Sequence, residues 1–502
     1  MGIYDFTVYD VIKRNALLFK DKTAWYDAES GASITFRDYK SEAERLAQRL
    51  LRTGLQKGDR LGVVGKNCLE YFLLYGAAAA IGAIVVPINW RLSPEEAAYN
   101  LNDTRPRIVF ADSEDPNWFK ALQERLVEST AVFNLSPGQG AFEDLPADSG
   151  AFAPPAEIHA DDGLVIIHTA AVAGRPRGAL LSHGNLLHAD MHLMYCFGMT
   201  CRDVHLNLLP LFHVAGLGLA LQSFHAGALN VNMRKFDAAL AVRLIAEKRV
   251  TLFFEFAPIL KSILDEQEKS NADLKSLRAV MGLDAPETIE RFQNVTGGTF
   301  YCLYGQTETS LLASMGAYDE RPGAAGRPLP MATVGLVDEA DRMVGPGEVG
   351  EIVMRGPMVF KGYWNLPRDN ADCFRNGWHH TGDLGRLDAD GFLWYAGRKP
   401  EKELIKPGGE NVYPAEVENA ILEHPAIEAV VVFGVPDAKW KEGIKAVCTL
   451  KPGRTCTDRE LIAFVGERIA RYKKPQYVTF IEKMPLNASG AVDRARVKQL
   501  HG

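Results

Sequence analysis

Between Tyr71 and Trp90 the chain runs for 20 residues without a charged side chain, YFLLYGAAAAIGAIVVPINW. A run of that length has two stable destinations: across a hydrocarbon layer as one helix, or inside a protein core. Its composition selects the core. Five of its residues are alanine, two are glycine, and Pro87 interrupts its end. The run predicts a buried helix over 73–81 and a buried strand over 83–87, with no membrane span. A strand buried on both faces needs helices above and below it, as in α/β sheets.

The rest of the chain repeats that alternation. Apolar, strand-like runs occur at 60–64, 107–111, 164–168, 250–254, 277–281 and 299–303, with helical patterns between them, for example 237–248 and 286–294. Such alternation predicts largely parallel sheets. The turn cluster DADG at 388–391 separates two further strand runs, 384–387 and 392–396, which read as a hairpin. At 397–409, GRKPEKELIKPGG, the texture becomes charged and rich in proline and glycine, which reads as a boundary or hinge. Beyond it follow a helix at 414–423, strands at 427–433 and 445–450, a helix at 458–472 and a strand at 477–482. The expected architecture is therefore α/β. A large multi-subdomain N-terminal domain of layered, mostly parallel sheets covers 1–400. A small mobile α+β C-terminal domain covers 401–502, with a hinge near 398–403.

Composition removes whole classes of function. At 502 residues the length prior is about three domains or subdomains. Hydrophobic residues at 47% and charged residues at 24% exclude disordered and fibrous chains. The net charge of −7 lacks the basic footprint of a general nucleic-acid binder. Seven cysteines with no CxxC pair argue against a disulfide framework or a zinc ribbon and fit a reducing cytoplasm. The N-terminus, MGIYDFTVYD, has no basic segment followed by an apolar run, and Phe6 stands where a myristoylation pattern wants Ser or Thr. A cytoplasmic protein is expected.

Four segments could carry chemistry. TAAVAGRPRG at 169–178 is a small-residue loop after an apolar strand, with Ser182 as a candidate helix cap beyond it. Backbone N–H groups in such a loop, near a cation, can cradle phosphate; a tight strand-to-helix connection is the plainer reading. YGQTETS at 304–310 places a carboxylate among hydroxyls at the end of a strand, where open α/β sheets hold ligands. WHHTGD at 378–383 offers Asp383 in a Thr-Gly-Asp turn, a carboxylate suited to vicinal ribose hydroxyls. Its adjacent His379 and His380 point to opposite faces if they lie on a strand, so they do not share one metal ion. GGENVYPAEVE at 408–418 reads as the end of a linker and the first helix of the C-terminal unit.

In this order and spacing the four segments resemble the adenylate-forming superfamily of acyl-CoA synthetases, luciferases and peptide-synthetase adenylation domains. VPINWRLSPEE at 86–96, PLFHVAG at 210–216 and YKKP at 472–475 extend the resemblance over nearly the whole chain. AMP-forming acyl-CoA synthetases fit best, because no carrier-protein domain follows the last motif. The resemblance implies a two-step reaction. A carboxylate attacks the α-phosphate of Mg-ATP to give an acyl-adenylate, and the thiol of coenzyme A then displaces AMP, with the C-terminal domain rotating between the steps. It implies nucleotide contacts from Thr169, Gly174, Arg177, Gly178, Asp284, Ala285, Pro286, Tyr304, Gly305, Thr307, Asp383 and Arg398. Tyr304 would stack on adenine, Asp383 and Arg398 would bind ribose, Thr307 would touch the α-phosphate, and Glu308 would hold Mg2+ as the catalytic carboxylate. It implies an acyl pocket at His213, Phe254, Phe256, Gly282, Leu283 and Gly305, and CoA contacts at Gly408, Gly409, Glu410 and Trp440. It puts Lys402 or Glu403 near the hinge position, in a segment about two residues longer than in many relatives, which leaves the hinge residue open. Expected partners are thus a small carboxylic acid, ATP and CoA, with no nucleic acid. Oligomeric state is open, a homodimer among the options.

Two departures stand out. The phosphate loop has Ala170, Ala171, Val172 and Ala173 where relatives carry hydroxyls, and Arg177 where they carry lysine. Each absent hydrogen bond to a charged group is worth roughly 1.5–3 kcal/mol, which implies a weaker hold on the triphosphate. Near the C-terminus the pattern Ser-Gly-Lys reads Ser489, Gly490, Ala491, so the catalytic lysine is missing. An engineered Lys→Ala substitution, a stand-in lysine such as Lys473 or Lys498, and a non-catalytic adenylate-binding protein all fit the sequence. A luciferase-like oxygenase would share every motif. The acyl segments carry no Arg or Lys, which points to a hydrophobic monocarboxylic acid: aromatic, alicyclic or medium-chain.

Overall fold

The computed structural model describes the chain except residues 1–4, 113–114, 128–129, 136–141, 147–149, 151, 173–174, 400–402, 438–439 and 487–491, and except the side chains of 170–172 and 409. The chain divides into two compact units. The first comprises Met1–Trp90, Ala97–His168 and Gly178–Gly397. The second comprises Arg91–Glu96, Thr169–Arg177 and Arg398–Gly502.

The apolar run is core. Its helix spans Leu69–Ile81, four residues longer at its start than the apolar pattern predicts, because Cys68 caps it. Every residue from Tyr71 to Ile81 is buried, and Gly82 ends the helix at φ +71°. The strand Ile84–Ile88 follows, paired in parallel with Arg60–Val64. Gly76 permits close approach of a second helix, Phe36–Arg52: a Cβ there would meet the Tyr39 hydroxyl at 2.7 Å. Trp25 stacks on Phe72 with ring centroids 4.8 Å apart. Each fully buried aromatic of this kind contributes about 1.5–3 kcal/mol. Among the described residues no helix is long and apolar enough to cross a membrane.

The first unit layers helices on a nine-stranded and a seven-stranded sheet, both parallel in their central strands, and adds a five-stranded antiparallel sheet. The second unit contains a three-stranded sheet with helices against it. Two strands begin two residues later than their apolar runs, at Leu252–Phe256 and Ala279–Leu283. The reason is the same in both. Val250 and Leu277 use their N–H groups to close the preceding turns, on Ile245 and Leu274. The helix expected over 458–472 stops at Gly466, and Arg471–Lys473 forms a separate 3-10 turn. The segment 169–178 is not a strand-to-helix loop. Strands Gly163–Val172 and Arg175–Ser182 lie side by side in the sheet, so it is the end of a strand pair. Ser182 then caps the helix His183–Phe197 through a capping box with Asn185, worth about 1 kcal/mol.

Burial lowers the imidazole pKa of His183, His192 and His205 from 6.5 to about 4. Between those values the unfolded chain binds more protons than the folded one, so stability rises with pH across the window and is lost as pH falls through it. His192 accepts the Met331 N–H on Nε2 at 3.1 Å, a role only neutral imidazole can fill. Urea midpoints should therefore drop on acidification from about pH 7 to about pH 4.5. The drop should be shallower in His192→Gln, and level midpoints would contradict the burial argument.

Candidate active site

The strand Thr299–Tyr304 ends in a tight reversal. Gly305 has no side chain because a Cβ would fall on the Leu311 carbonyl oxygen. The 3-10 turn Thr307–Thr309 follows, with Gln306 and Thr309 bonded to each other in a capping box. Ser310 and Leu311 then take φ of +51° and +104°. For a branched residue such as Leu311 that is strain of about 1–3 kcal/mol, held in place by the Ser310 hydroxyl donating to the Met358 carbonyl at 2.7 Å. The turn buries Thr307 and Glu308. The Tyr363 hydroxyl donates to Glu308 Oε1 at 2.6 Å, and the Phe360 N–H donates to the Glu308 carbonyl at 2.9 Å. One rigidly held carboxylate is what Mg2+ takes from a protein when nucleotide phosphates and water supply the other ligands, so Glu308 fits that ion.

Asp383 reaches the same place from another sheet. It is buried in the strand Trp378–Leu387. Its Oδ2 accepts the Tyr304 hydroxyl at 2.8 Å and an N–H of Gln306. The two residues were read from motifs 79 positions apart, and the fold brings them into contact. The Tyr304 ring lies near-parallel to Tyr395, centroids 6.1 Å apart. Asp284, Ala285 and Pro286 sit at the adjoining strand end: Ala279–Leu283 pairs in parallel with Thr299–Tyr304, and Pro286 opens the next helix. His379 and His380 do part company, His379 against Phe360 and Phe374, His380 on Glu351.

The acyl candidates divide by face. Phe254 and Phe256 pack on each other at 4.9 Å, and register puts them beside Met281 and Leu283. Tyr301 continues that face and meets Phe197 edge-to-face at 5.1 Å, so the helices His183–Phe197 and Val214–Ala226 cover it. His213 stands at the start of the second of these helices. Gly282 points the other way. It pairs with Glu255, whose side-chain oxygen would meet a Cβ there at 2.5 Å. Glu255 in turn accepts the Leu260 N–H at 3.4 Å, at the start of the helix Ile259–Ser270.

The second unit holds the remaining candidates except Gly178. The Thr169 hydroxyl donates to the Arg177 carbonyl at 3.3 Å, and Gly174 lies outside the described residues. Gly178 belongs to the first unit and receives the Trp364 N–H on its carbonyl at 2.7 Å. Arg398 ends the strand Leu393–Arg398. Gly408, at φ +59°, lies under the indole of Trp440, and a Cβ would meet the ring at 2.8 Å. It sits in the 3-10 turn Pro407–Gly409, and Glu410 directly after it pairs with Arg91. Glu403 pairs with Lys498 at 3.1 Å and Arg494 at 3.7 Å. Lys402 and Ala491 lie outside the described residues. Lys473 is buried between Glu96 at 2.7 Å and Glu416 at 3.0 Å. Burial alone would lower its pKa, but Glu416, Tyr472 and Glu96 outweigh that and push it up. Both stand-in lysines are thus engaged with carboxylates. Gln306, Tyr363 and Glu351 carry no motif weight of their own; only Gln306, inside YGQTE, was adjacent to a readable signal.

Comparison with known proteins finds matches over most of the chain. Residues 12–364 match the model of the AMP-binding enzyme family, and 416–491 match the AMP-binding enzyme C-terminal domain. The chain is 34% identical to the indoleacetate–CoA ligase of Aromatoleum aromaticum over 97% of both chains. A crystal structure from Rhodopseudomonas palustris, carrying a provisional long-chain-fatty-acid CoA ligase name, is 49% identical with a TM-score of 0.75, over 79% of this chain and 100% of that one. The o-succinylbenzoate CoA synthetase of Bacillus subtilis, solved as a double mutant with a product analogue, superposes with a TM-score of 0.88 at 28% identity over 99% of each chain.

Proposed function

The chain belongs to the AMP-binding enzyme family, within the adenylate-forming superfamily, and from that premise we propose that it is an AMP-forming acyl-CoA synthetase for a hydrophobic monocarboxylic acid. Its relatives are CoA ligases for aromatic and fatty acids. The observation that carries the reading is the contact of Tyr304 and Gln306 with Asp383 at the carboxyl end of a parallel sheet, a polar cluster that matches a nucleoside.

In the first half-reaction an oxygen of the acid attacks the α-phosphorus of ATP and pyrophosphate leaves. In the second, the CoA sulfur attacks the acyl carbon and AMP leaves. Asp383 accepts hydrogen bonds from the ribose, and Tyr304 offers its ring to the base. Thr307 meets the α-phosphate. Glu308, held by Tyr363, is the ligand for Mg2+, which when bound neutralises phosphate charge. Phosphoryl chemistry of this kind is mainly positioning and charge neutralisation. The acid lies on the Phe254–Phe256 face beneath the helix that His213 opens, with no basic side chain among these residues to pair with a second carboxylate. Gly408, Gly409, Glu410 and Trp440 line the CoA path, and the hinge lies at 398–403. The protein works in the cytoplasm.

Ala491 leaves the first half-reaction impaired and the second intact. The chain as it stands should convert supplied benzoyl-, cyclohexanecarboxyl- and octanoyl-adenylates with CoA into thioester and AMP, read by chromatography. Malonyl- and aminoacyl-adenylates should react poorly. A non-catalytic adenylate-binding protein, the alternative that Ala491 leaves open, would bind AMP and make no thioester. Absence of both AMP binding and thioester would overturn the assignment.

A further inference from the structure

The strand that carries Asp383 leaves its ladder to do so. Gly350–Arg355 pairs antiparallel with Trp378–Leu387, matching Glu351 to Leu384 and Val353 to His380. Between those pairs one residue, Ile352, faces three: Thr381, Gly382 and Asp383. Bulges of this kind re-aim side chains beside active sites. Gly382 takes φ +71°, so its N–H turns away from the neighbouring backbone. The stranded groups are bonded by side chains instead. The Thr381 hydroxyl donates to the Ile352 carbonyl at 2.6 Å and accepts the Asp383 N–H at 3.2 Å. The Gly382 N–H donates to Glu351 Oε1 at 2.9 Å.

Glu351 is itself pinned. It is buried, and its Oε2 meets His380 Nδ1 at 3.0 Å and Arg375 Nη2 at 3.4 Å. Arg375 is anchored by a fork onto Asp341, Nε to Oδ2 at 2.7 Å and Nη2 to Oδ1 at 3.0 Å. Asp341, Glu351 and His380 bring ligand atoms within 4.8 Å of one another, as a metal site would, but the Arg375 guanidinium already supplies the positive charge among them. A buried carboxylate with these partners is fixed in position, because freeing any one leaves charge unpaired in the interior.

We propose that Glu351, held by Arg375 and His380, is a positioning residue that shapes the Thr381–Gly382–Asp383 bulge and so sets Asp383 against the ribose hydroxyls. It touches neither nucleotide nor acid. The inference rests on the ribose role proposed for Asp383 above.

The test is calorimetric binding of AMP and of 2′,3′-dideoxy-AMP, which lacks the hydroxyls Asp383 would accept. The unaltered chain should bind AMP about tenfold or more tightly than the dideoxy nucleotide. Glu351→Gln keeps the shape but removes the charge and replaces one of the two acceptor oxygens, both in use, with an NH2 donor. It should weaken AMP about tenfold and leave dideoxy-AMP within twofold, abolishing the discrimination. Combined with Asp383→Asn it should add nothing to the loss that Asp383→Asn causes alone, since residues acting as one unit are not additive. If Glu351→Gln fails to fold, Asp341→Asn, which loosens the Arg375 anchor from a half-buried position, carries the same comparison. Equal loss for both nucleotides, or no loss for AMP, overturns the role of Glu351. Absence of discrimination in the unaltered chain overturns the ribose role of Asp383, and this inference with it.

Discussion

Ala491→Lys is expected to raise acid-dependent AMP formation from ATP by about 10²–10³, the size of one transition-state electrostatic contact. A cation aimed at a transferring phosphoryl group reaches up to about 10⁵. The argument is one of charge. Negative charge concentrates between the attacking carboxylate and the α-phosphate, and a methyl group at 491 offers nothing to meet it. The two lysines considered as stand-ins are engaged elsewhere: Lys473 is held by Glu96 and Glu416, and Lys498 pairs with Glu403. Leu486 and Val492, on either side of the undescribed residues 487–491, form an isolated bridge, and Asp493 caps the helix Arg494–His501. Pyrophosphate release with and without acid measures the effect. Thioester formation from supplied acyl-adenylate should change less than about twofold, because that half-reaction does not use the lysine. No rise in adenylation would mean that Ala491 is native to a protein that binds adenylates without making them.

Gly305→Ala is expected to lower AMP affinity by about 100-fold or more while leaving the bulk of the fold intact. The added methyl collides with the Leu311 carbonyl, and neither partner is the flexible end of a side chain. The backbone of 305–311 must move, carrying Thr307 and Glu308 with it. A displacement of about 1 Å at reacting groups costs on the order of 10². Leu311 is already at φ +104°, so the loop has little room to yield. Calorimetry with AMP, alongside a melting curve for the folded fraction, decides the point. Unchanged affinity would show that the 304–310 turn does not line the nucleotide site.

The alternation of strands and helices was readable because burial leaves a period in the sequence. The apolar run predicts a helix over 73–81 and a strand over 83–87, and both exist, as Leu69–Ile81 and Ile84–Ile88, with the helix start set by the Cys68 cap. What could not be read was where turns take residues from a strand, as Val250 and Leu277 show. Nor could pairing register be read, so Gly282 gave no sign that it faces Glu255 and not the phenylalanines. The site was legible as segments. Tyr304, Glu308 and Asp383 stand out locally, but their neighbours Tyr363 and Glu351 are ordinary residues until the fold brings them close. At 169–178 a strand-to-helix connection and a strand pair look alike in sequence, because the small residues carry no period that marks the outgoing strand Arg175–Ser182.

The bulge around Gly382 inserts two residues, an even number, into one strand of a pair. Side chains on a strand alternate, so His380 and Leu384 keep the orientations that an unbroken strand would give them. A change of one residue in this stretch would turn every later side chain, from Leu384 to Leu387, to the opposite face. The spacing between the histidine and the leucine is therefore fixed in parity by the pairing on either side of the bulge. Substitutions here alter a binding constant, whereas a single insertion or deletion inverts a sheet. Libraries built on this protein should vary the identity of these three residues and leave their number alone.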